Sequence, residues 1–284
     1  MPARILFLTG KGGTGKSTIA RALAAEAVAQ GRPALVISMP PSSDPRRHAR
    51  VAASHRPAWE EKTLDEKSDL EAFLNRVLGF RFLARRLQSS GTFAAVAAAA
   101  PGLRDLVALA AVAHEARRRR GLVIVDAPSS GHSAPMLEAP RRVLDLAPFG
   151  PAAGEARRAL ALLVDPRSFV ALLIATPEEL AITEVLALRD DVAVAGVAAS
   201  NVIVNGCWPA YVNDTEAARL LAETGSSDVA LHWQRHVRQR ELVALLEETV
   251  GPCVRLPFVF DPGHRQLPRE AAAALLASLD RAAA

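Results

Sequence analysis

Eight residues near the start of the chain, Gly10-Lys11-Gly12-Gly13-Thr14-Gly15-Lys16-Ser17, constrain its fold more than any other segment. They follow an apolar run, Ile5-Leu6-Phe7-Leu8, and lead into an Ala- and Leu-rich stretch at 17–30 that closes at Gly31. The pattern G-x-x-x-x-G-K-[ST] lets backbone N–H groups curl around an anion, and a helix starting there adds its dipole. In such a loop Lys16 reaches the β- and γ-phosphates of a nucleotide, and the Ser17 hydroxyl ligates Mg2+. Gly12, Gly13, Thr14, Gly15, Lys16, Ser17 and Thr18 are therefore candidate cofactor-binding residues, with ATP and Mg2+ as the cofactors. A strand at 4–9, a helix at 17–30 and a strand at 33–38 form a βαβ unit, which requires a parallel sheet and a right-handed crossover.

The remaining pattern extends that architecture. Residues 39–57 carry Pro, Ser, Arg and His and read as a loop, and 60–120 read as helical with breaks at Ser89-Ser90-Gly91 and Pro101-Gly102. Further strands are predicted at 122–125 (ending in Asp126), 168–175, 192–204 and 253–256, with a short helix after the 122–125 strand. Helices are predicted at 177–189, 228–250 (capped by Ser226 or Ser227) and 267–284. The expectation is a single α/β domain over 1–284, a mostly parallel sheet flanked by helices, with a helical insertion at about 60–120. The stripe Leu70, Phe73, Leu74, Val77, Leu78 and Phe80 to Leu83 reads either as packed core or as a client-binding layer.

Composition excludes several classes. Half of the 284 residues are hydrophobic but only 5% are aromatic, so the core is built from Ala, Val and Leu. Two cysteines, Cys207 and Cys253, are too few for a disulfide framework or a four-ligand zinc site, and fit a reducing, cytoplasmic setting. The uncharged stretch 192–213 is long enough for a membrane span, yet its Asn and Pro residues favour a buried strand and loop. A net charge of +4 gives no reason to expect nucleic acid. Only four of the 34 basic residues are Lys, and two of those, Lys11 and Lys16, stand inside one glycine-rich loop. A compact ammonium is chemically distinct from a guanidinium where a point charge must fit against phosphate.

Lys11 is a cation that an ordinary phosphate loop does not need. With it, Lys11-Gly12-Gly13-Thr14-Gly15-Lys16-Ser17-Thr18 resembles the deviant Walker A motif of the MinD, ParA, nitrogenase-iron-protein and ArsA ATPases. The resemblance implies that Lys11 acts across a dimer interface on the partner's nucleotide, as an arginine finger does. Leu122-Val123-Ile124-Val125-Asp126 is a buried strand capped by an acid, and Asp126 is expected to hold Mg2+ through water. Its continuation, Asp126-Ala127-Pro128-Ser129-Ser130-Gly131-His132, resembles the switch II of ArsA and of the ATPase that targets tail-anchored proteins, and the bacterial branch most of all. Ala100-Pro101-Gly102, Ala139-Pro140-Arg141-Arg142 and Gly150-Pro151 are similar to segments of the same branch. So is the T-P-E-E-x-x-x-x-E signature over Thr176-Pro177-Glu178-Glu179 and Glu184. By resemblance Asn205 ends the strand that reads adenine, and Leu256-Pro257-Phe258 belongs to the loop that closes over it. Asn205 also reads as a strand-end turn residue, and Glu178 and Glu179 as helix N-terminal charges.

One departure bears on catalysis. The family's switch I carries an Asp that orients the attacking water, and here Pro40 takes its place in register. Asp44 lies four residues further on and can substitute only if the loop folds back, since four residues span over ~10 Å. The candidate catalytic set is thus Lys11, Lys16, Asp126 and, conditionally, Asp44. The expected function is an ATP-dependent dimeric switch, a homodimer or a heterodimer with a related ATPase, acting on an unknown protein client. The alternatives are a non-hydrolysing ATP-binding subunit and a ParA- or MinD-like positioning ATPase.

Overall fold

The computed structural model describes residues 4–39, 58–78, 102–199, 202–260 and 267–281. Pro40, Asp44, Phe80 to Leu83 and the Ser89-Ser90-Gly91 break lie outside them. Seven strands form one sheet: β1 Arg4–Gly10, β2 Ala34–Ser38, β3 Glu60–Thr63, β4 Leu122–Asp126, β5 Phe169–Ala175, β6 Ile203–Cys207 and β7 Val254–Pro257. Their order is β3-β2-β4-β1-β5-β6-β7. Every pairing is parallel, so β1 is central and its loop opens at the sheet's C-terminal edge. Ligands of open α/β sheets bind at that edge, in the crevice beyond the carboxyl ends of the strands.

Alternation along the strands builds two cores. Leu6, Leu8, Val36, Ile124 and Leu172 face α1 (Lys16–Ala29) and the terminal helix Arg269–Arg281, where Leu23, Leu275 and Leu276 pack. Ile5, Phe7, Ile37, Val123 and Phe169 face the other way, towards five helices: Leu103–Arg118, Ser130–Leu146, Pro151–Leu163, Glu179–Val194 and Ser227–Val250. Phe73 and Leu74, from the helix Glu66–Leu78, are buried with Leu106, Val107, Val143, Ala156 and Ala159. Those two members of the predicted stripe are therefore core. The third core forms a second helical layer, because helix Leu103–Arg118 buries Leu109 and Val112 against the sheet and Leu106 and Val107 against its outer neighbours.

Four sequence expectations need correction. The helical region expected from 60 begins later, because Glu60–Thr63 is an edge strand paired to β2. Its charges alternate as a strand requires: Glu60 and Lys62 pair with Arg119 and Glu115 on one side, Glu61 with Arg21 on the other. Arg119, the C-cap of helix Leu103–Arg118, joins an ion-pair cluster with Glu60 and Glu115. The strand expected at 192–204 starts at Ile203, because helix Glu179–Val194 continues through Val192 and ends where Gly196 adopts φ 71°. The single short helix expected after β4 is two, Ser130–Leu146 and Pro151–Leu163, the first running through Pro135 and Pro140. Helix Asp214–Thr224 is a further addition, started by a capping box between Asn213 and Glu216. Among the described residues no helix is long and apolar enough to cross a membrane.

Candidate functional site

β1 delivers the chain into the glycine-rich loop between its two neighbours. A Cβ on Gly10 (φ 150°) would stand 2.0 Å from the Ile174 carbonyl of β5, so only glycine fits where the loop begins. Gly15 (φ 90°) precedes the helix, and a Cβ there would stand 2.3 Å from Asn205 Nδ2. At Gly12 and Gly13 a Cβ would meet nothing within 4 Å, so the loop has open space beside both. No side chain caps the start of α1, which leaves its first-turn N–H groups for an anion. Thr14 is buried and ties the loop internally, donating from Oγ1 to the Lys11 carbonyl at 2.9 Å. Lys16 Nζ donates to the Gly10 and Lys11 carbonyls at 3.0 and 2.9 Å. Burial lowers the Lys16 pKa, and the negative charge of Asp126 opposes that shift. An ammonium held by neutral carbonyls in a partly dry site is poised for a stronger anion. Thr18 is half-buried in the first turn of α1.

Asp126 arrives from β4, in register with Leu8 on one side and Ser38 on the other. Ser17 Oγ donates to its Oδ2 at 2.6 Å. Burial pushes the Asp126 carboxyl up, while the Ser17 hydroxyl, Lys16 and Arg21 pull it back. A hydroxyl and a carboxylate meeting beside a phosphate cradle are the hard oxygen donors that Mg2+ takes, so the donor set fits that ion. Met39 N–H donates to the Asp126 carbonyl at 3.1 Å, which fixes the last described residue before Pro40 beside the site.

Lys11 pairs within its own chain. Its Nζ is 3.2 Å from Glu184 Oε1, on helix Glu179–Val194, and Ser130 Oγ donates to Glu184 Oε2 at 3.2 Å. Thr9, just before Gly10, and Ser133, one turn into helix Ser130–Leu146, are both fully buried and share a short hydroxyl–hydroxyl hydrogen bond. Neither Glu184 nor the Thr9–Ser133 pair follows from the phosphate-loop pattern. Glu184 stands in the T-P-E-E-x-x-x-x-E signature, whose spacing signalled it without a role. Glu178 is the N-cap of its helix and Glu179 pairs with Arg238, as helix N-terminal charges do. His132 is exposed at the start of its helix.

β6 brings Asn205 to the loop's other flank, where Nδ2 donates to the Thr14 carbonyl at 2.8 Å. Pro257 pairs in register with Cys207 at the end of β7. Beyond them Trp208, Phe258 and Phe260 pack ring on ring, with the Arg235 guanidinium 4.5 Å over the Trp208 ring. Sequence reasoning did not anticipate this aromatic cluster, although Phe258 stands in the quoted Leu256-Pro257-Phe258 segment. Lys16, Ser17, Asp126, Thr14 and Asn205 thus converge; Lys11 turns to Glu184, Pro257 stands at the margin, and Asp44 is outside the described residues.

A parallel sheet with a glycine-rich loop leaving its central strand, an uncapped helix behind it and an acid on the adjacent strand define a P-loop nucleotide-binding fold. The chain belongs to the anion-transporting ATPase family, the ArsA-like ATPases, whose family model matches residues 3–147, just over half its length. Among curated proteins it resembles ATPase BagA of Mycobacterium tuberculosis and the protein Mb3704 of Mycobacterium bovis. Each is 27% identical over 236 residues, covering 76% of this chain and 68% of the relative.

Proposed function

We propose that the chain binds MgATP at residues 10–18 and works as a dimeric switch, coupling ATP binding and hydrolysis to conformational change and to handling of a protein partner. The observation that carries this reading is the 2.6 Å Ser17–Asp126 contact beside the carbonyl-bound Lys16 ammonium. In this reading Lys16 exchanges the Gly10 and Lys11 carbonyls for β- and γ-phosphate oxygens. Ser17, and Asp126 through water, would hold Mg2+, which would supply neutralising charge at the phosphates. Lys11 contributes its charge across the interface to a second subunit, and Asn205 and Pro257 border the base. In this reading the chain is a single ATPase domain, with helices Glu66–Leu78 and Leu103–Arg118 as its added layer. Lys16→Ala tests the assignment: calorimetry should show MgATP binding lost while the fold survives. Equal binding by wild type and variant would refute the phosphate-loop assignment.

A second reading rests on Met39. Its N–H on Asp126 sets the start of the switch I segment beside the site, and the next residue is Pro40, which has no group to orient water. On this reading the isolated chain binds ATP but turns it over slowly, and a homologous partner with an intact switch I performs hydrolysis. Robust phosphate release by the isolated chain, lost in Asp44→Asn, would overturn this and make Asp44 the water-orienting carboxylate.

A further inference from the structure

Arg21 and Ser17 stand four residues apart on α1, so their side chains share one face of the helix, about 6 Å apart along its axis. Ser17 spends its hydroxyl on Asp126 Oδ2 at 2.6 Å. The Arg21 guanidinium therefore leaves the helix one turn below the Ser17–Asp126 contact, and its positive charge bears on Asp126 together with that of Lys16. Its ion pair is made elsewhere. Nε lies 3.6 Å from Glu61 Oε1 on β3, the single carboxylate within ion-pair distance of Arg21 among the described residues. Trp59 Nε1 donates to the same oxygen at 3.2 Å, so Glu61 is fastened independently of Arg21.

In the empty site two cations, Lys16 and Arg21, thus act on one acid, Asp126. A divalent cation beside Ser17 and Asp126 meets repulsion from both. A triphosphate reverses the balance, since it brings several negative charges and engages the Lys16 ammonium, while Arg21 stays with Glu61. We propose that Arg21 is a positioning residue for the metal site: held by Glu61, its charge sets how strongly Ser17 and Asp126 take a divalent cation and makes that uptake depend on a bound triphosphate. The phosphate-loop pattern ends at Ser17 and asks for no cation at position 21. This inference rests on the reading of residues 10–18 as an ATP site. The side chains of Arg21 and Glu61 are 42% and 31% exposed, so solvent screens the charge, and removing it should change the metal's contribution only about three- to tenfold.

The experiment measures ATP affinity by calorimetry at pH 8, with excess Mg2+ and again in EDTA, for wild type, Arg21→Gln, Arg21→Lys and Glu61→Gln. The ratio of the two affinities reports the metal, and a melting curve without nucleotide checks each fold. Arg21→Gln should raise the ratio about three- to tenfold over wild type. Arg21→Lys keeps the charge and should restore the wild-type ratio. Glu61→Gln frees the guanidinium towards Asp126 and should lower the ratio about two- to threefold. A merely structural pair would lower the melting temperature in Arg21→Gln and Glu61→Gln alike and leave the ratio unmoved, which overturns the inference. A shift of the same sign in both variants, or an Arg21→Lys that behaves as Arg21→Gln, overturns it as well. If wild type binds ATP in neither condition, the ATP reading falls and this inference with it; ATP binding with one ratio across all four proteins removes this inference alone. Should Arg21→Gln lose its fold, Glu61→Gln carries the test: a lowered ratio supports the proposal, and an unchanged one overturns it.

Discussion

The side-chain amide of Asn205 donates a 2.8 Å hydrogen bond to the carbonyl of Thr14, joining the end of one strand to a loop 191 residues earlier in sequence. The bond closes the loop's flank next to Gly15, where any larger residue would strike the same amide. Asn205→Ala should cost about 1 kcal/mol in urea unfolding, the net worth of one hydrogen bond. Asn205→Asp should cost more at neutral pH, because a carboxylate then faces a carbonyl, and should recover as acid protonates it into a donor. An Asp variant with a flat pH profile would show that the bond does not support the loop.

Asp126 supplies a pH prediction with a fixed sign. Burial raises its folded-state pKa, so the native protein holds its proton to higher pH than the unfolded chain does. The stability of the empty protein from this group is therefore complete below the ordinary carboxylate value and is lost as pH rises through the raised folded value. Asp126→Asn should melt higher than wild type at neutral pH without nucleotide, yet lose the stabilisation that MgATP gives. A variant that melts lower without nucleotide would contradict the burial argument.

The thiols of Cys207 and Cys253 are both pushed up to about 11, burial being the largest cause in each. At pH 8 each thiol is ionised in roughly one molecule in a thousand. Alkylation by iodoacetamide should be slow in the native state, rise about tenfold per pH unit, and become fast in urea. Rapid native labelling at pH 7 would indicate that the two sulfurs are not packed against the core.

Lys11 acts on another subunit's nucleotide only if one faces it. MgATP should therefore raise the mass in light scattering towards that of a dimer, and Lys11→Ala should weaken the shift. A monomeric mass with MgATP, alone and with a co-purified homologue, would remove the trans role.

The phosphate loop was legible because its chemistry is local: eight consecutive residues specify a turn, a charge and a helix start. The Asp126 strand was legible for the same reason, as an apolar run ended by an acid. What escaped was either non-local or contrary to propensity. Glu60–Thr63 has a weak strand composition and is held by pairing to β2 and by ion pairs from helices on both faces. Val192 looked like strand because it is β-branched, but one buried face on a helix satisfies it equally well. Pro135 and Pro140 hid a helix that buried neighbours such as Leu137 and Ala139 maintain against the usual cost. Helix Asp214–Thr224 did carry a readable signal, the Asn213-x-x-Glu216 capping box. Contacts such as Lys11–Glu184 and Thr9–Ser133 join segments over a hundred residues apart, and no spacing rule announces them.

The two edge strands set how this molecule can meet others. One, Glu60–Thr63, carries three charged side chains already committed to neighbouring helices. The other, Val254–Pro257, has Arg255 tied to Glu247 and finishes on a proline with no N–H to offer. Short, charged or proline-ended margins do not template a further strand. Among the described residues, both margins of the sheet thus disfavour growth by backbone addition. Association is left to side chains on helices and loops, and contacts of that kind form and dissolve without rebuilding any backbone ladder.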